Sequence, residues 1–233
     1  MAHPWYHAVL AARRYGGTPE DYLEIETWMD FTKSHTPDCR HRLLLHNAWG
    51  VFLAERILGP TMIRTSDGKT LPLRPLLEDH ITQDFGRIPT LAVCFAQLAL
   101  EPLDPDVTVY DHCRASAEEF GGVWSDYQAL HQFLDWPRDA LPDGRFRRVL
   151  HNSWGVGLAE QAFGLAFTRA SDGVELAVRP IVERHIQREM GTIPTLDAAL
   201  EGVTLQRWMC SRAMPPLAPP APVERTTRRA EPA

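Results

Sequence analysis

The chain has 233 residues, of which 44% are hydrophobic and 23% charged, so its apolar content is that of a folded protein. The formal net charge of −6, without a long Lys/Arg run, disfavours a nucleic-acid binder, because phosphate neutralisation needs a positive surface. No stretch approaches 18 uninterrupted apolar residues, and the first ten residues lack a signal-peptide pattern, so we expect a cytoplasmic protein without a membrane anchor.

The chain is an internal duplication. A shift of 105 residues aligns 7–96 with 112–201 without a gap, and 36 of these 90 positions are identical. We therefore predict two homologous domains, 1–100 and 107–212, joined by a linker at 101–106. Within a monomeric chain, such a pair is expected to pack as an internal pseudo-dimer about an approximate twofold axis.

The segment 213–233 differs in composition from both domains. It is rich in proline and poor in large apolar side chains. Such a segment cannot contribute to a packed core, so we predict a disordered tail.

Each domain is predicted to be mainly α-helical with one small β-hairpin, in the order α-α-α-β-β-α-α. Glycines, prolines and N-cap residues set the boundaries, with Thr18 as the N-cap of the second helix. In the first domain the predicted helices cover 4–15, 19–33, 38–59 and 75–85, and a fifth begins at 89 or 90. The hairpin lies between the third and fourth helices, around Ser-Asp-Gly at 66–68.

The motif "LHNAWG" at 45–50 returns as "LHNSWG" at 150–155. It falls inside the predicted third helix, on a mostly apolar row that turns His46 towards the protein interior. The second domain follows this row less well, because Arg148 replaces Leu43. Gly50 would cost a helix about 1 kcal/mol relative to alanine, so its recurrence indicates that a backbone or a ring packs closely against it.

Comparison of the two copies selects candidate metal ligands, which are the histidines and carboxylates present at equivalent positions. His35 and His41 are set aside because Ala140 and Phe146 replace them in the second copy. Glu26 is kept, because its counterpart His131 is also a ligand type. The candidates are His7, Glu26, Asp30, His46 and His80 in the first copy, and His112, His131, Asp135, His151 and His185 in the second.

Helix geometry predicts that these candidates meet. With a rise of about 1.5 Å per residue in antiparallel helices, His7, Glu26 and His46 fall in one layer, and Asp30 lies one turn from Glu26. The position of His80 is not fixed by this argument. Mixed nitrogen and oxygen ligands suit a divalent ion such as zinc, iron, manganese or nickel.

Two interpretations of this cluster stay open. The first is a mononuclear or dinuclear metal site in each domain, with a hydrolytic role as one option. The second is a polar core network in a non-catalytic structural or interaction protein, with a phage origin as one option, which leaves room for a protein partner. No HExxH or CxxC motif decides between them.

The recurring arginines are interpreted as structural. We predict ion pairs with nearby acidic residues and not an anion site. The arginines are Arg40, Arg42 and Arg74 with the repeats Arg145, Arg147 and Arg179, and the expected partners are Asp21, Asp38, Glu55 or Glu78 and their repeats.

The blocks "GGTPEDYLEIETWMDFTKSH", "RHRLLLHNAWG", "SDGKTLPLR" and "GRIPTL" resemble a family of small, single-copy proteins from bacteria and their phages. That family is catalogued as a domain of unknown function. The resemblance covers nearly all of 4–98 and, more loosely, 109–203. It implies the domain boundaries and a preference for histidine at the position of Glu26, and it implies no activity.

Overall fold

The computed structural model describes residues 3–36, 38–103 and 107–210, apart from the side chain at 207. The predicted tail at 213–233 and part of the predicted linker, 104–106, lie outside these residues. The first domain contains α1 (Pro4–Tyr15), α2 (Glu20–Met29), α3 (Arg42–Leu45), α4 (Ala48–Leu58), β1 (Thr61–Ile63), β2 (Thr70–Pro72), α5 (Arg74–Phe85) and α6 (Leu91–Cys94).

The second domain repeats this order. Its elements are α7 (Val109–Phe120), α8 (Gln128–Asp135), α9 (Arg147–Leu150), α10 (Ser153–Phe163), β3 (Ala166–Thr168), β4 (Glu175–Ala177), α11 (Val178–Met190) and α12 (Leu196–Ala199). Short 3₁₀ turns connect several of them. The mainly helical class and the hairpin in each domain are confirmed. Within the described residues, no helix has the length and apolar content needed to cross a bilayer.

The first two helices form a tight antiparallel pair. α1 ends at Gly16, whose φ of +81° favours glycine, and Arg64 donates there to the carbonyl of Tyr15. A Cβ on Gly16 would lie 2.8 Å from Arg64 Nη1, so the close approach also requires glycine. The turn is therefore fixed by a contact from the hairpin.

The prediction for the start of the second helix was wrong by one residue. α2 begins at Glu20 and ends at Met29, and a 3₁₀ turn follows at Phe31–Ser34. Pro19 stands at the N-cap position, where no side chain caps the helix, and the Thr18 N–H donates to Asp21 at 2.8 Å. Asp21 also accepts from the backbone and hydroxyl of Ser66, so the Ser-Asp-Gly loop anchors α2 as well as turning the chain.

The predicted third helix at 38–59 is not continuous, which is the main correction to the fold. Its first part is a 3₁₀ turn followed by α3. The helix is then interrupted between His46 and Asn47, before α4 begins. Asn47 joins the two pieces, because its Nδ2 donates to the carbonyls of Leu43 and Leu44 while its Oδ1 accepts from Gly50 N.

Gly50 is required by this break. A Cβ at position 50 would lie 2.2 Å from the Leu45 carbonyl oxygen, and one at Gly155 would lie 1.8 Å from that of Leu150. The backbone expected to press on the glycine is thus the end of the preceding helix. The same break in both domains places His46 and His151 at the ends of helices instead of within one.

The remaining elements close each domain around the break. The hairpin pairs Met62 with Leu71, and its counterpart pairs Phe167 with Leu176. The predicted fifth helix corresponds to α6 and is only one turn long. The carbonyl of Pro89, just before it, accepts a hydrogen bond from Ala48 N at 2.9 Å. This bond satisfies a backbone donor at the start of α4, which has no partner inside its own helix.

The two domains pack through reciprocal contacts. α4 lies against its counterpart α10. Arg40 of the first domain donates to the Leu200 carbonyl at 3.2 Å, and its repeat Arg145 donates to the Phe95 carbonyl at 2.9 Å. Because Phe95 and Leu200 are equivalent positions, an arginine of each domain donates to the equivalent backbone carbonyl of the other domain. This reciprocity is the property of a twofold interface, here within one chain.

Most of the predicted arginine pairs are found. Arg40 pairs with Asp38, and Arg74 pairs with Glu55. The equivalent pairs in the second domain are Arg145 with Asp143 and Arg179 with Glu160. The prediction was wrong for Arg42 and Arg147, because their partners are Asp84 and Glu189 in the interior.

Candidate metal centre

Each domain contains a buried cluster of two histidines and two carboxylates. In each cluster one ligand-type atom per residue lies within 4.8 Å of all the others. The clusters are Asp30, His46, His80 and Asp84 in the first domain, and Asp135, His151, His185 and Glu189 in the second. We call them the first and the second centre. Their members occupy equivalent positions in the duplication.

Three structural elements supply the first centre. Asp30 caps the C-terminal end of α2, and His46 caps the C-terminal end of α3 at the break. His80 and Asp84 lie one turn apart on α5, so their side chains project from the same face. Because the break ends α3 at His46, its imidazole extends into the space between α2 and α5.

The spacing within each histidine pair fits two ligands of one ion, and it is also that of a hydrogen bond between the two rings. His46 Nε2 lies 3.0 Å from His80 Nε2, and His151 Nε2 lies 2.9 Å from His185 Nε2. Imidazole nitrogens that bind one ion at about 2.0–2.1 Å, with an angle between 90° and 109°, lie roughly 2.9–3.4 Å apart. Both centres fall in or at the edge of this range.

The carboxylates point into the same space. Asp84 Oδ2 lies 3.2 Å and Asp30 Oδ1 lies 3.7 Å from His46 Nε2. Asp30 Oδ1 and both oxygens of Asp84 are buried without a hydrogen-bond partner among the described residues. Arg42 Nη2 forms an ion pair with Asp84 Oδ2 at 2.9 Å, but not with the geometry of a hydrogen bond.

The second centre repeats this arrangement. Asp135 Oδ1 lies 3.4 Å from His185 Nε2 and 3.5 Å from His151 Nε2, and it has no hydrogen-bond partner in the described part of the chain. Buried polar atoms are almost always paired, so the orphaned oxygens in both centres are unusual. A cation between the four side chains would satisfy all of them.

The protonation states of His46, His185 and Asp84 suit cation binding, whereas that of His80 opposes it. Burial lowers the pKa of His46 to about 3 and that of His185 to about 4, so both imidazoles are neutral at pH 7. Burial alone would lower the pKa of His80 as well, but its hydrogen bond to Glu26 raises it. Burial alone would raise the pKa of Asp84, but the neighbouring His46 and Arg42 hold it well below its usual range. Neutral imidazoles and ionised carboxylates are the forms that bind metals.

Glu26 and His131 lie behind the histidine pair. Glu26 Oε2 contacts His80 Nδ1 at 2.5 Å, on the side of the ring that faces away from His46. In the second domain His131 Nδ1 contacts His185 Nδ1 at 2.9 Å, and its other nitrogen lies 2.9 Å from Ser116 Oγ. Ser116 stands where the first domain has Ala11, so the exchange of glutamate for histidine is accompanied by a new hydroxyl partner.

His7 and His112 pack against His80 and His185, the histidines that α5 and α11 supply to the two centres. The His7 ring lies on that of His80, with centroids 4.1 Å apart, and the His112 ring stacks on that of His185 at 3.8 Å. His112 Nε2 also contacts Glu189 at 3.0 Å. All ten predicted residues therefore lie in the two centres or in contact with them.

Three residues near the centres were not among the candidates predicted from sequence. Asp84 and Glu189 were detectable, because each follows a selected histidine by one helical turn and keeps a carboxylate in both copies. His41 was set aside because Phe146 replaces it, yet its Nε2 lies 3.8 Å from Asp30 Oδ1. A residue present in only one copy cannot be found by comparing copies.

The comparisons with known proteins give a family and no function. The family model described as "Domain of unknown function (DUF6915)" matches the chain twice, at residues 2–103 and 107–209. No curated protein matches the chain, and no solved structure matches it either. The two matched segments are the two halves of the duplication and together span most of the chain.

Proposed function

We propose that this chain, which belongs to the DUF6915 family as a tandem of two domains, binds one divalent metal ion in each domain. The observation that carries the proposal is the pair of Nε2 atoms at 3.0 Å and 2.9 Å beside buried carboxylate oxygens without hydrogen-bond partners. The same arrangement occurs twice although the surrounding residues differ, which supports a common ligand.

Each centre offers two imidazole nitrogens and two carboxylates. This set fits zinc, iron, manganese or nickel, since each of them accepts mixed nitrogen and oxygen ligands. Four buried side chains suit a tetrahedral ion, and an octahedral ion would keep two further positions. When bound, the ion would act as a Lewis acid that can polarise a coordinated oxygen.

The residues behind the histidines would position them. A histidine that binds an ion through Nε2 carries its proton on Nδ1 and donates it to an outer partner. Glu26 accepts this hydrogen bond from His80. In the second domain His131 Nδ1 accepts it from His185, which leaves the His131 Nε2 proton for Ser116 Oγ. Glu26 in the first domain, and His131 together with Ser116 in the second, would thereby orient the histidine on which they act.

The alternative is a structural protein whose polar core is held by hydrogen bonds alone. In that case Asp30 Oδ1 and Asp84 Oδ1 would remain buried without a hydrogen bond, at a cost of about 1–3 kcal/mol each, while Asp84 Oδ2 would keep its ion pair with Arg42. The proposal of a cation removes this cost, which is why we favour metal binding over the network.

Metal analysis of untagged protein tests the proposal. We expect about two equivalents of a divalent ion per chain after dialysis against zinc, manganese, iron or nickel, and about one equivalent in His46→Ala or His151→Ala. His35→Ala is the matched control, because this histidine lies outside both centres. Less than about a tenth of an equivalent in the parent protein after every dialysis would favour the structural alternative.

A further inference from the structure

The first centre is closed by aromatic side chains. The Phe85 ring lies 5.7 Å from the His46 ring, and the Trp208 ring packs on Phe85 at 5.5 Å. The Met209 carbonyl accepts from Arg42 at 3.0 Å, which holds this C-terminal segment in place. The four cluster residues of the first centre are all buried.

A cavity lies beside the second centre. Met190 stands at the position equivalent to Phe85, and Leu103 at that equivalent to Trp208, so neither ring is present. The cavity has a volume of about 270 Å³, and His151 and Glu189 are among the residues that line it.

Two arginines also line this cavity. Arg148 is held by Glu101 at 2.6 Å and by the carbonyls of Ala199 and Glu201. Arg147 is held by Glu189 through its Nε. The first domain has Leu43 at the position of Arg148, so one of the two guanidinium groups is specific to the second domain. Their fixed positions reduce the entropy that an anion would lose in ordering them.

We propose that the second centre binds a small molecule through an oxyanion group, phosphate or carboxylate, and that the first centre does not. This inference rests on the proposed metal binding. With a divalent ion in place, the ion and the two arginines outweigh the negative charges of Asp135, Glu189 and Glu101. An oxyanion can bind an open position of the ion and pair with a guanidinium fork at the same time.

The structure thereby separates two roles within one duplicated chain. A closed metal site stabilises its domain, and a site open to a cavity can bind a ligand. The replacement of Phe85, Trp208 and Leu43 by Met190, Leu103 and Arg148 distinguishes the surroundings of the second centre, which a cavity adjoins, from those of the first. The difference lies around the metal ligands, while the ligand types themselves are kept.

Cobalt-loaded protein gives a direct test, because the visible absorption of Co²⁺ responds to a change in its ligands. Titration with inorganic phosphate and with acetate is expected to shift the spectrum of the parent protein and of His46→Ala, but not that of His151→Ala. The anion that acts at lower concentration identifies the preferred group. A spectrum that neither anion shifts, in protein that holds cobalt in both domains, overturns the inference.

Two variants replace a residue that lines the cavity with the residue found at the equivalent position of the first domain. Arg148→Leu is expected to weaken the binding of the preferred anion about tenfold or more, because a charge-assisted contact is lost. Met190→Phe is expected to block it by closing the opening. Arg114→Leu is the charge control, since Arg114 is exposed and pairs with Glu118 on the surface.

The results distinguish failure of the inference from failure of the proposed function. If the parent protein takes up no cobalt, the metal proposal itself fails. If Arg148→Leu and Met190→Phe keep the cobalt content of the parent protein and bind the anion as well as it does, the metal proposal stands and the oxyanion site is wrong. Cobalt content and circular dichroism of each variant exclude a loss of binding caused by unfolding.

Discussion

Replacing Asn47 with alanine should destabilise the first domain strongly, because this buried side chain joins two helices. Its amide donates to the Leu43 and Leu44 carbonyls at 2.7 Å and 3.1 Å, and its carbonyl oxygen accepts from Gly50 N at 3.0 Å. An N-cap contributes about 1 kcal/mol, and a buried carbonyl left without a partner costs about 1–3 kcal/mol.

Alanine removes the N-cap and leaves two carbonyls without a partner, and these terms are not strictly additive. We expect the free energy of unfolding to fall by roughly 3–5 kcal/mol in Asn47→Ala. For a protein of this size the melting temperature would then fall by roughly 6–20 °C. Urea unfolding followed by circular dichroism measures the first quantity, and thermal unfolding measures the second. Asn152→Ala is the matched variant and should behave alike, since Asn152 makes the same contacts to the Arg148 and Val149 carbonyls and to Gly155.

Asn47→Ser separates the two contributions. Serine keeps an N-cap acceptor for Gly50 but cannot reach the carbonyls of the preceding helix, so it should recover about 1 kcal/mol of the loss. If Asn47→Ala lowers the free energy of unfolding by less than about 1 kcal/mol, the side chain is an ordinary cap and does not join the helices.

Three further outcomes are expected. Glu26→Ala should lower the metal affinity of the first centre about 10- to 100-fold, measured by competition with a chelator, because His80 loses its orienting partner. Trp208→Ala should speed the removal of the first ion by a chelator while leaving the second unchanged, because it opens the aromatic cover. Metal-free protein should lose stability as the pH falls from 6.5 towards 4, by up to about 1.4 kcal/mol per pH unit for each of His46 and His185. Burial lowers the pKa of both, so the unfolded chain binds their protons first, and the raised pKa of His80 works in the opposite direction. Urea unfolding at pH 7 and pH 5 checks the sign, and equal or greater stability at pH 5 would contradict it.

The elements predicted well from sequence are those whose limits are set by local chemistry. α1 begins at a proline and ends at Gly16, and the hairpin follows from an alternating pattern around Ser-Asp-Gly. The end of α5 at Gly86, in the left-handed conformation, is of the same kind. In each case the deciding residue lies within the element or next to it.

The break at His46 and Asn47 could not be predicted in this way. Leucine, alanine and tryptophan around it are all compatible with a helix, and the apolar row continues across it. The side chain of Asn47 and the Pro89 carbonyl stabilise the break, and the second of these lies more than 40 residues away in the chain. Tertiary contacts thus override a favourable helical pattern.

The duplication was the most informative signal for the site. The exchange between Glu26 and His131 predicts an exchange of metal ligands, and Glu26 lies with His7 and His80 in a further group whose ligand-type atoms are within 4.8 Å of one another. The structure places both side chains on the outer nitrogen of a histidine, where a carboxylate and an imidazole can each accept a proton. Equivalent chemistry at two aligned positions identifies a shared environment, but it does not identify which atom the residue contacts.

The recurring motif combines three requirements at one break in the chain. The histidine at the end of α3 faces its partner on α5, the asparagine holds both helix ends, and the glycine leaves room for the preceding carbonyl. The tryptophan that follows packs between the domains, 5.5 Å from the ring of Trp136. A continuous helix could not meet these requirements together, because the position of the histidine depends on ending one helix and starting another at adjacent residues. Conservation of the whole motif in both copies, and not of the histidine alone, is therefore what a paired site of this geometry demands.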